Sequence, residues 1–393
     1  MATPRVAALA VMALLVGGQV LPHDIRGSDT RPDPGAPAAA VLDGLVRREE
    51  PGLAVLVRQG GRVVFQRGYG QRQLGSSARI DERTGFRLAS VTKQFTATAV
   101  MLLVREGRLR YEDRLTDILA FPGWGREITI RHLLNHTSGL PDYEDLMETA
   151  ERGGATPWTA ERQIQDEEVL SLLRAAPSGR FPPGTSWAYS NSGYVVLGLV
   201  VARVSGQRFA DFLHDRVFAP LRMDRTLAYE KNRNQVEGRA FGHARREGSF
   251  AEADQSPTSA TLGDGGVYSN LEDLARWDQA LREHTLLSPA AMKPALTPVV
   301  LADGSSPRWP QGPAGGDDLA PGQPVSYGFG WFLDPWHTRA RQWHHGETVG
   351  FRSVIERFPA DDLTVVVLCN RDDLDPRALA ERIAARYLAG VRS

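Results

Sequence analysis

The chain has 393 residues, with 46 basic and 47 acidic side chains and a formal charge of −1. That balance excludes the basic footprint of a nucleic-acid binder or of a protein held on an anionic membrane surface. A single cysteine, Cys369, excludes an internal disulfide framework, and its setting in the apolar run Thr364–Asn370 reads as a buried structural thiol.

In chain order, Arg5 stands ahead of an apolar stretch from Val6 to about Gly18, too short to span a bilayer comfortably and shaped like a secretory h-region. The expectation is a signal peptide over 1–22, a secreted or periplasmic protein, and no stable membrane anchor. No small-x-small cleavage signature follows, and no cysteine that could carry lipid; an uncleaved, disordered leader or a misassigned start is the other reading. Residues 23–37, rich in Asp, Pro and Gly, read as a linker. A helix is predicted over Ala38–Arg48, then strands Leu53–Arg58 and Arg62–Arg67 around the turn Gln59-Gly60-Gly61.

Ser90 precedes Lys93 by one helical turn in Phe86-Arg-Leu-Ala-Ser90-Val-Thr-Lys93. Residues i and i+3 share a helix face, and a desolvated lysine amine can take the proton of a serine hydroxyl. Alone, the pair reads better as a helix-capping serine with a solvated lysine. Further on, Pro182-Pro183-Gly184 forces a turn before Tyr189-Ser190-Asn191, placing Tyr189 and Asn191 on a loop ahead of a helix over Val195–Val204. A phenol near an ammonium can share its proton, and an amide both donates and accepts; a packed loop aromatic is the alternative. His132-x-x-x-His136 has zinc-pair spacing but lacks the glutamate of His-Glu-x-x-His, and no metal or cofactor is expected. Gly263-Asp-Gly-Gly266 lacks a lysine and a strand-turn-helix context, and reads as a flexible loop near the active site.

Pro298–Pro324, dense in Gly, Pro and Asp, reads as a surface insertion or lid. Strand-like runs follow at Tyr327–Leu333, Arg341–His345, Phe351–Phe358 and Leu363–Cys369, and a last helix at Pro376–Leu388. Trp343-His344-His345-Gly346-Glu347 reads as an edge strand entering a turn, whose N–H groups can hold a substrate chain or a developing oxyanion. Elements at both chain ends predict one antiparallel sheet, with an all-helical lobe from about 84 to 260 inserted in it.

Ser90-x-x-Lys93, Tyr189-x-Asn191 and His344-x-Gly346, in that order, resemble the motif set of the serine β-lactamase and penicillin-binding-protein superfamily. Leu133–Leu140, Gly184–Gly193 and Gly265–Arg276 add to the likeness, which runs from about residue 36 to the C-terminus. The Tyr-x-Asn variant is similar to that of class C β-lactamases, D-alanyl-D-alanine carboxypeptidases, D-aminopeptidases and related esterases. The resemblance implies an α/β fold of the α+β type, β-lactamase/transpeptidase-like, over a catalytic domain at 38–391. It implies Ser90 as acylated nucleophile, with Lys93 and Tyr189 sharing the general-base work. Asn191, His344 and Gly346 would contact substrate, and the backbone N–H groups of Ser90 and Glu347 would form the oxyanion hole.

Two departures bear on substrate. His344 stands where many β-lactamases carry lysine, and histidine with a pKa of about 6.5 is a weak handle for a carboxylate. Glu347 stands where small residues are commoner. These favour an esterase or a D-amino-acid peptidase or carboxypeptidase acting on a small molecule or short peptide. A β-lactamase, and a sensor that captures penicillin or muropeptide without turnover, are the alternatives. The sequence does not set the oligomeric state.

Overall fold

The computed structural model describes residues 33–310 and 320–388. The signal peptide expected over 1–22 lies outside them, as do most of the 23–37 linker and residues 311–319 of the 298–324 insertion.

The N-terminal side supplies β1 (Leu53–Gln59) and β2 (Arg62–Tyr69). The middle adds short strands: β3 (Phe86–Arg87), β4 (Leu227–Ala228), β5 (His243–Arg246), β6 (Ser249–Glu252) and β7 (Val267–Ser269). The C-terminal side closes with β8 (Gln342–Thr348), β9 (Phe351–Phe358) and β10 (Leu363–Cys369). The main sheet runs β2-β1-β10-β9-β8, antiparallel throughout, so the two chain ends do meet in one sheet.

Side-chain alternation along the central strands builds three layers. Leu53, Val55, Val57, Val365, Val367 and Cys369 face one core, shared with the helices Ala36–Leu42 and Pro376–Tyr387. Ala54, Leu56, Val366 and Leu368 face the other, shared with the helical lobe. All seven residues of β10 are buried, which explains its unbroken apolar run. At the heart of the second core the helix Lys93–Arg105 is buried from Lys93 to Leu103, with Phe95 packed on Trp277 at 4.7 Å between centroids. From Pro34 onward the chain forms one compact unit.

Four expectations are revised. The segment 84–260 is not purely helical: β3 pairs with β7, which pairs with β4, and β5 pairs with β6. Strands of two to four residues are too short to show a period of two. The first helix begins at Ala36 and ends at Leu42, just ahead of Gly44 at φ +70°. Tyr327–Leu333 is a tight turn holding isolated bridges between Tyr327 and Phe332 and between Phe332 and Trp343. A Cβ on Gly328 would fall 1.9 Å from the Ala295 carbonyl oxygen, and one on Gly330 2.8 Å from that of Lys93, so backbone replaces side chain there. The 263–266 loop is packed rather than loose, since a Cβ on Gly263 would meet the Tyr194 carbonyl oxygen at 2.2 Å.

Candidate active site

Ser90 lies in a short 3-10 turn, Ala89–Thr92, between β3 and the helix Lys93–Arg105. Ala89 carries φ +47°, a left-handed conformation that costs a non-glycine residue roughly 1–3 kcal/mol. Surrounding bonds hold it there. Leu88 N–H donates to Val267 O at 2.9 Å, Ser353 Oγ donates to Leu88 O at 2.7 Å, and Val267 N–H donates to Thr92 Oγ1 at 3.1 Å. The turn that carries Ser90 is thus tied to β7 and β9.

Lys93 has no exposed surface. Its Nζ lies 2.9 Å from Ser90 Oγ, 2.8 Å from Asn191 Oδ1 and 3.0 Å from the Asp264 carbonyl oxygen. Burial pushes the amine down from 10.5 to about 8, against Asp264, Asp142 and Glu144, which hold it up. In the neutral form, two N–H bonds to Asn191 and Asp264 remain and the lone pair points at the Ser90 hydroxyl, the arrangement of a base ready to receive its proton.

The Tyr189 ring lies with its face 4.8 Å from Lys93 Nζ and packs on His136 at 4.5 Å between centroids. Ser190 Oγ accepts from Gly193 N–H and caps the next helix, which starts at Asn191 rather than Val195. Asn191 therefore sits in a helix's first turn instead of a loop. Ser190 N–H donates to Nδ1 of His136, which is fully buried and held at φ +64°. Burial, with Lys93 and His344 nearby, keeps His136 well below 6.5 and hence neutral.

β8 is the outer strand of the sheet. Trp343 exchanges both backbone bonds with Phe332 on the side away from β9. Alternation along an antiparallel strand then turns the N–H groups of His345 and Glu347 to that same side. Between them Gly346 meets the turn that carries Ser90: a Cβ there would fall 2.1 Å from Leu88 O and 3.0 Å from Ser90 N. The Ser90 and Glu347 amides are thereby brought to one end of the site. The Glu347 carboxylate turns outward to Arg352 at 2.6 Å, its side chain 60% exposed.

His344 is seated behind the site and offers no polar atom to a ligand. Its side chain is fully buried, Nδ1–H donates to His345 O at 2.6 Å, and Nε2 accepts from Tyr327 Oη at 3.1 Å. Burial, with His345 and Lys93 adding to it, keeps His344 well below 6.5. Its expected contact with substrate is replaced by packing against Tyr189, at 6.2 Å between centroids.

A family model described as Beta-lactamase matches residues 38–389. The chain belongs to the β-lactamase family. Penicillin-binding protein 4* of Bacillus subtilis is 30% identical over 81% of this chain and 68% of that protein. A D-aminopeptidase of Gluconobacter oxydans is 28% identical over 85% of this chain, which spans 58% of that relative's length. The D-amino acid amidase of Ochrobactrum anthropi SV3 superposes with a TM-score of 0.72 at 22% identity, over 90% of this chain and 98% of that one, a likeness of fold. The fold is that of the serine β-lactamase and penicillin-binding-protein superfamily.

In this β-lactamase-family chain, Ser90, Lys93, Tyr189 and Asn191 come together as the motifs suggest, while two neighbours escaped the sequence reading. Asp264 contributes a backbone carbonyl, which no side-chain pattern signals. His136 was weighed only as a metal ligand. His132 instead caps its helix, with Nδ1 accepting from Thr129 N–H at 3.2 Å, and the described residues hold no group of three or more His, Cys, Asp or Glu fit for a metal.

Proposed function

We propose that the chain is a serine hydrolase working through an acyl-enzyme on Ser90, acting on amides or esters of D-amino acids and short D-peptides. The observation that carries this reading is the fully buried Lys93 amine, 2.9 Å from Ser90 Oγ and lowered to about 8. Neutral Lys93 takes the Ser90 proton as Oγ attacks the carbonyl carbon. The oxyanion accepts from the Ser90 and Glu347 N–H groups. The bond to the leaving amine or alkoxide breaks as that group receives a proton from the Lys93–Tyr189 pair. Water then attacks the ester of Ser90 by the same route and releases the acid.

Substrate class follows from what the pocket lacks. His344 is neutral where a lysine would grip a carboxylate, which disfavours β-lactams and carboxy-terminal D-alanine. Likeness to a D-aminopeptidase points the same way. Capture of penicillin without turnover is the second reading, favoured by the 30% identity with a penicillin-binding protein. Export belongs to the proposal on the strength of the apolar stretch Val6–Gly18. The test is steady-state turnover of a D-alanyl p-nitroanilide, p-nitrophenyl butyrate and a chromogenic cephalosporin by wild-type and Ser90→Ala protein. Serine-dependent hydrolysis of the first two well above the third is expected. Fast cephalosporin turnover would reverse the substrate class, and turnover undiminished in Ser90→Ala would sink the hydrolase mechanism.

A further inference from the structure

The segment after β2 and the segment joining β4 to β5 enclose a cleft of about 490 Å³, whose walls include Arg72, Tyr229, Gly238, Arg239 and Phe241. Ser90, Lys93, Tyr189, Asn191 and Asp264 take no part in it. The backbone around the cleft is fixed from several sides. Arg72 N–H donates to Ala78 O at 3.0 Å, and Arg72 O accepts from Phe241 N–H at 2.8 Å and from Asn370 Nδ2 at 3.0 Å. Tyr229, one residue beyond β4, donates its N–H to Gly266 O at 2.9 Å.

Two guanidinium groups line this cleft and no carboxylate does. Arg239 is already matched. Its Nη2 donates to Asp254 and to Tyr268 Oη, and the rings of Tyr229, Phe241 and Tyr268 surround its cation. Arg72 is not. Its side chain has no hydrogen-bond or ion-pair partner among the described residues, although its Nε is buried. Arg58 and Arg341 also leave a buried Nε open, but each reaches a carboxylate through its terminal nitrogens. The acids bordering the cleft are committed elsewhere, Glu237 to Arg225 at 2.7 Å and Glu252 to Gln73 Nε2 at 2.9 Å. Gly238 stands between two cations: a Cβ there would lie 3.1 Å from Arg72 Nη1 and 4.0 Å from Arg225 Nη1. Neighbouring like charges repel, and a guanidinium sealed from solvent on one edge is poorly hydrated. Both costs fall when an anion enters the cleft.

We propose that the cleft binds a carboxylate carried on a flat apolar body. The carboxylate meets the terminal nitrogens of Arg72, whose planar fork suits a two-oxygen acceptor. The body lies against the Tyr229 and Phe241 rings, which form the apolar part of the wall. One unmatched guanidinium balances a single negative charge, which favours a carboxylate over a phosphate dianion. The site uses none of the groups on which the hydrolase reading depends, so the two stand or fall separately.

The test compares benzoate with benzamide, which share the ring and differ in charge. Calorimetry at pH 7.5 on wild-type protein is expected to show benzoate binding tighter by roughly ten- to hundredfold, the range for a charge-assisted contact. Arg72→Gln protein is expected to lose that preference. Its Tm should match wild type, because the Arg72 side chain holds nothing else. A second measurement needs no stable Gln variant: the Arg72 Nε–H signal in a nitrogen-15 spectrum, assigned by its loss in Arg72→Lys protein, should shift as benzoate is added to wild type. Equal binding of the two probes, as for a cleft that holds only solvent, would overturn the proposal. So would no binding of either, a preference that survives Arg72→Gln, or an Arg72 signal that benzoate leaves unmoved. Inorganic phosphate that displaces benzoate at equal concentration would overturn the choice of carboxylate.

Discussion

Lys93 is a buried lysine, and in the proposed mechanism that condition is what makes it a base. Below about 8 it is an ammonium with no lone pair to offer; above, it can accept the Ser90 proton. The rate of acylation by a neutral ester is therefore expected to rise with pH through about 8 and level off beyond it. A rate flat from pH 6 to 9.5, measured by stopped flow, would place the base elsewhere. Replacing Lys93 by Ala or Tyr189 by Phe is expected to lower turnover by roughly 10²–10⁴, the range for a general base, with Ser90→Ala removing the acyl-enzyme altogether. That these four residues would meet was readable because Ser90, Lys93, Tyr189 and Asn191 occur as ordered side-chain motifs. Asp264 was not readable, because it serves Lys93 through a peptide oxygen that every residue possesses.

The joint between β8 and the turn that carries Ser90 is where packing between elements bears on the proposed chemistry. Gly346 lets the strand close on Leu88 O and Ser90 N. Gly346→Ala is expected to destabilise by about 1–3 kcal/mol through overpacking and to cut Ser90 labelling at least as sharply as Tm falls. Normal Tm with full labelling would show that the contact is not tight. Behind the same strand, Arg341 joins Asp334, Glu356 and Glu381, tying the start of β8 to β9 and to the helix Pro376–Tyr387. Glu356 is fully buried, and burial outweighs its 3.2 Å contact with an arginine shared among three acids, pushing it up to about 8. Its folded value lies above its unfolded one, so the stability it gives is full below about 4.5 and is lost as pH rises toward 8. Glu356→Gln is expected to match wild type in Tm at pH 4.5 and to exceed it at pH 9. A mutant less stable at pH 9 would show that the ionised pair holds the sheet. Strands β9 and β10 match the sequence reading residue for residue, because alternation and unbroken apolarity are both visible there. Tyr327–Leu333 misled because its apolar side chains alternate while its glycines bend the chain.

At the scale of the molecule, the sheet is made by the chain's two ends, and the side chains of Ser90, Lys93, Tyr189 and Asn191 come from the segment between them. Ser90 and Lys93 follow β3, Asp264 precedes β7, and β8 and β9 come from the far end of the sequence. No element carries the site alone, and the sheet that holds β8 and β9 closes through the long-range pairing of β1 with β10. That closure was legible in outline, from strands at both termini, while the two- and three-residue strands beside Ser90 were too short to announce themselves. Among the described residues no helix is long and apolar enough to cross a membrane.

The most direct test of the central claim is where the acyl group goes. Wild-type protein is mixed with p-nitrophenyl butyrate, quenched in acid within milliseconds, weighed intact and digested. The account expects one butyryl group per chain, on the peptide carrying Ser90, and none in Ser90→Ala protein. A butyryl group on another residue, or hydrolysis that continues in Ser90→Ala protein, would contradict it.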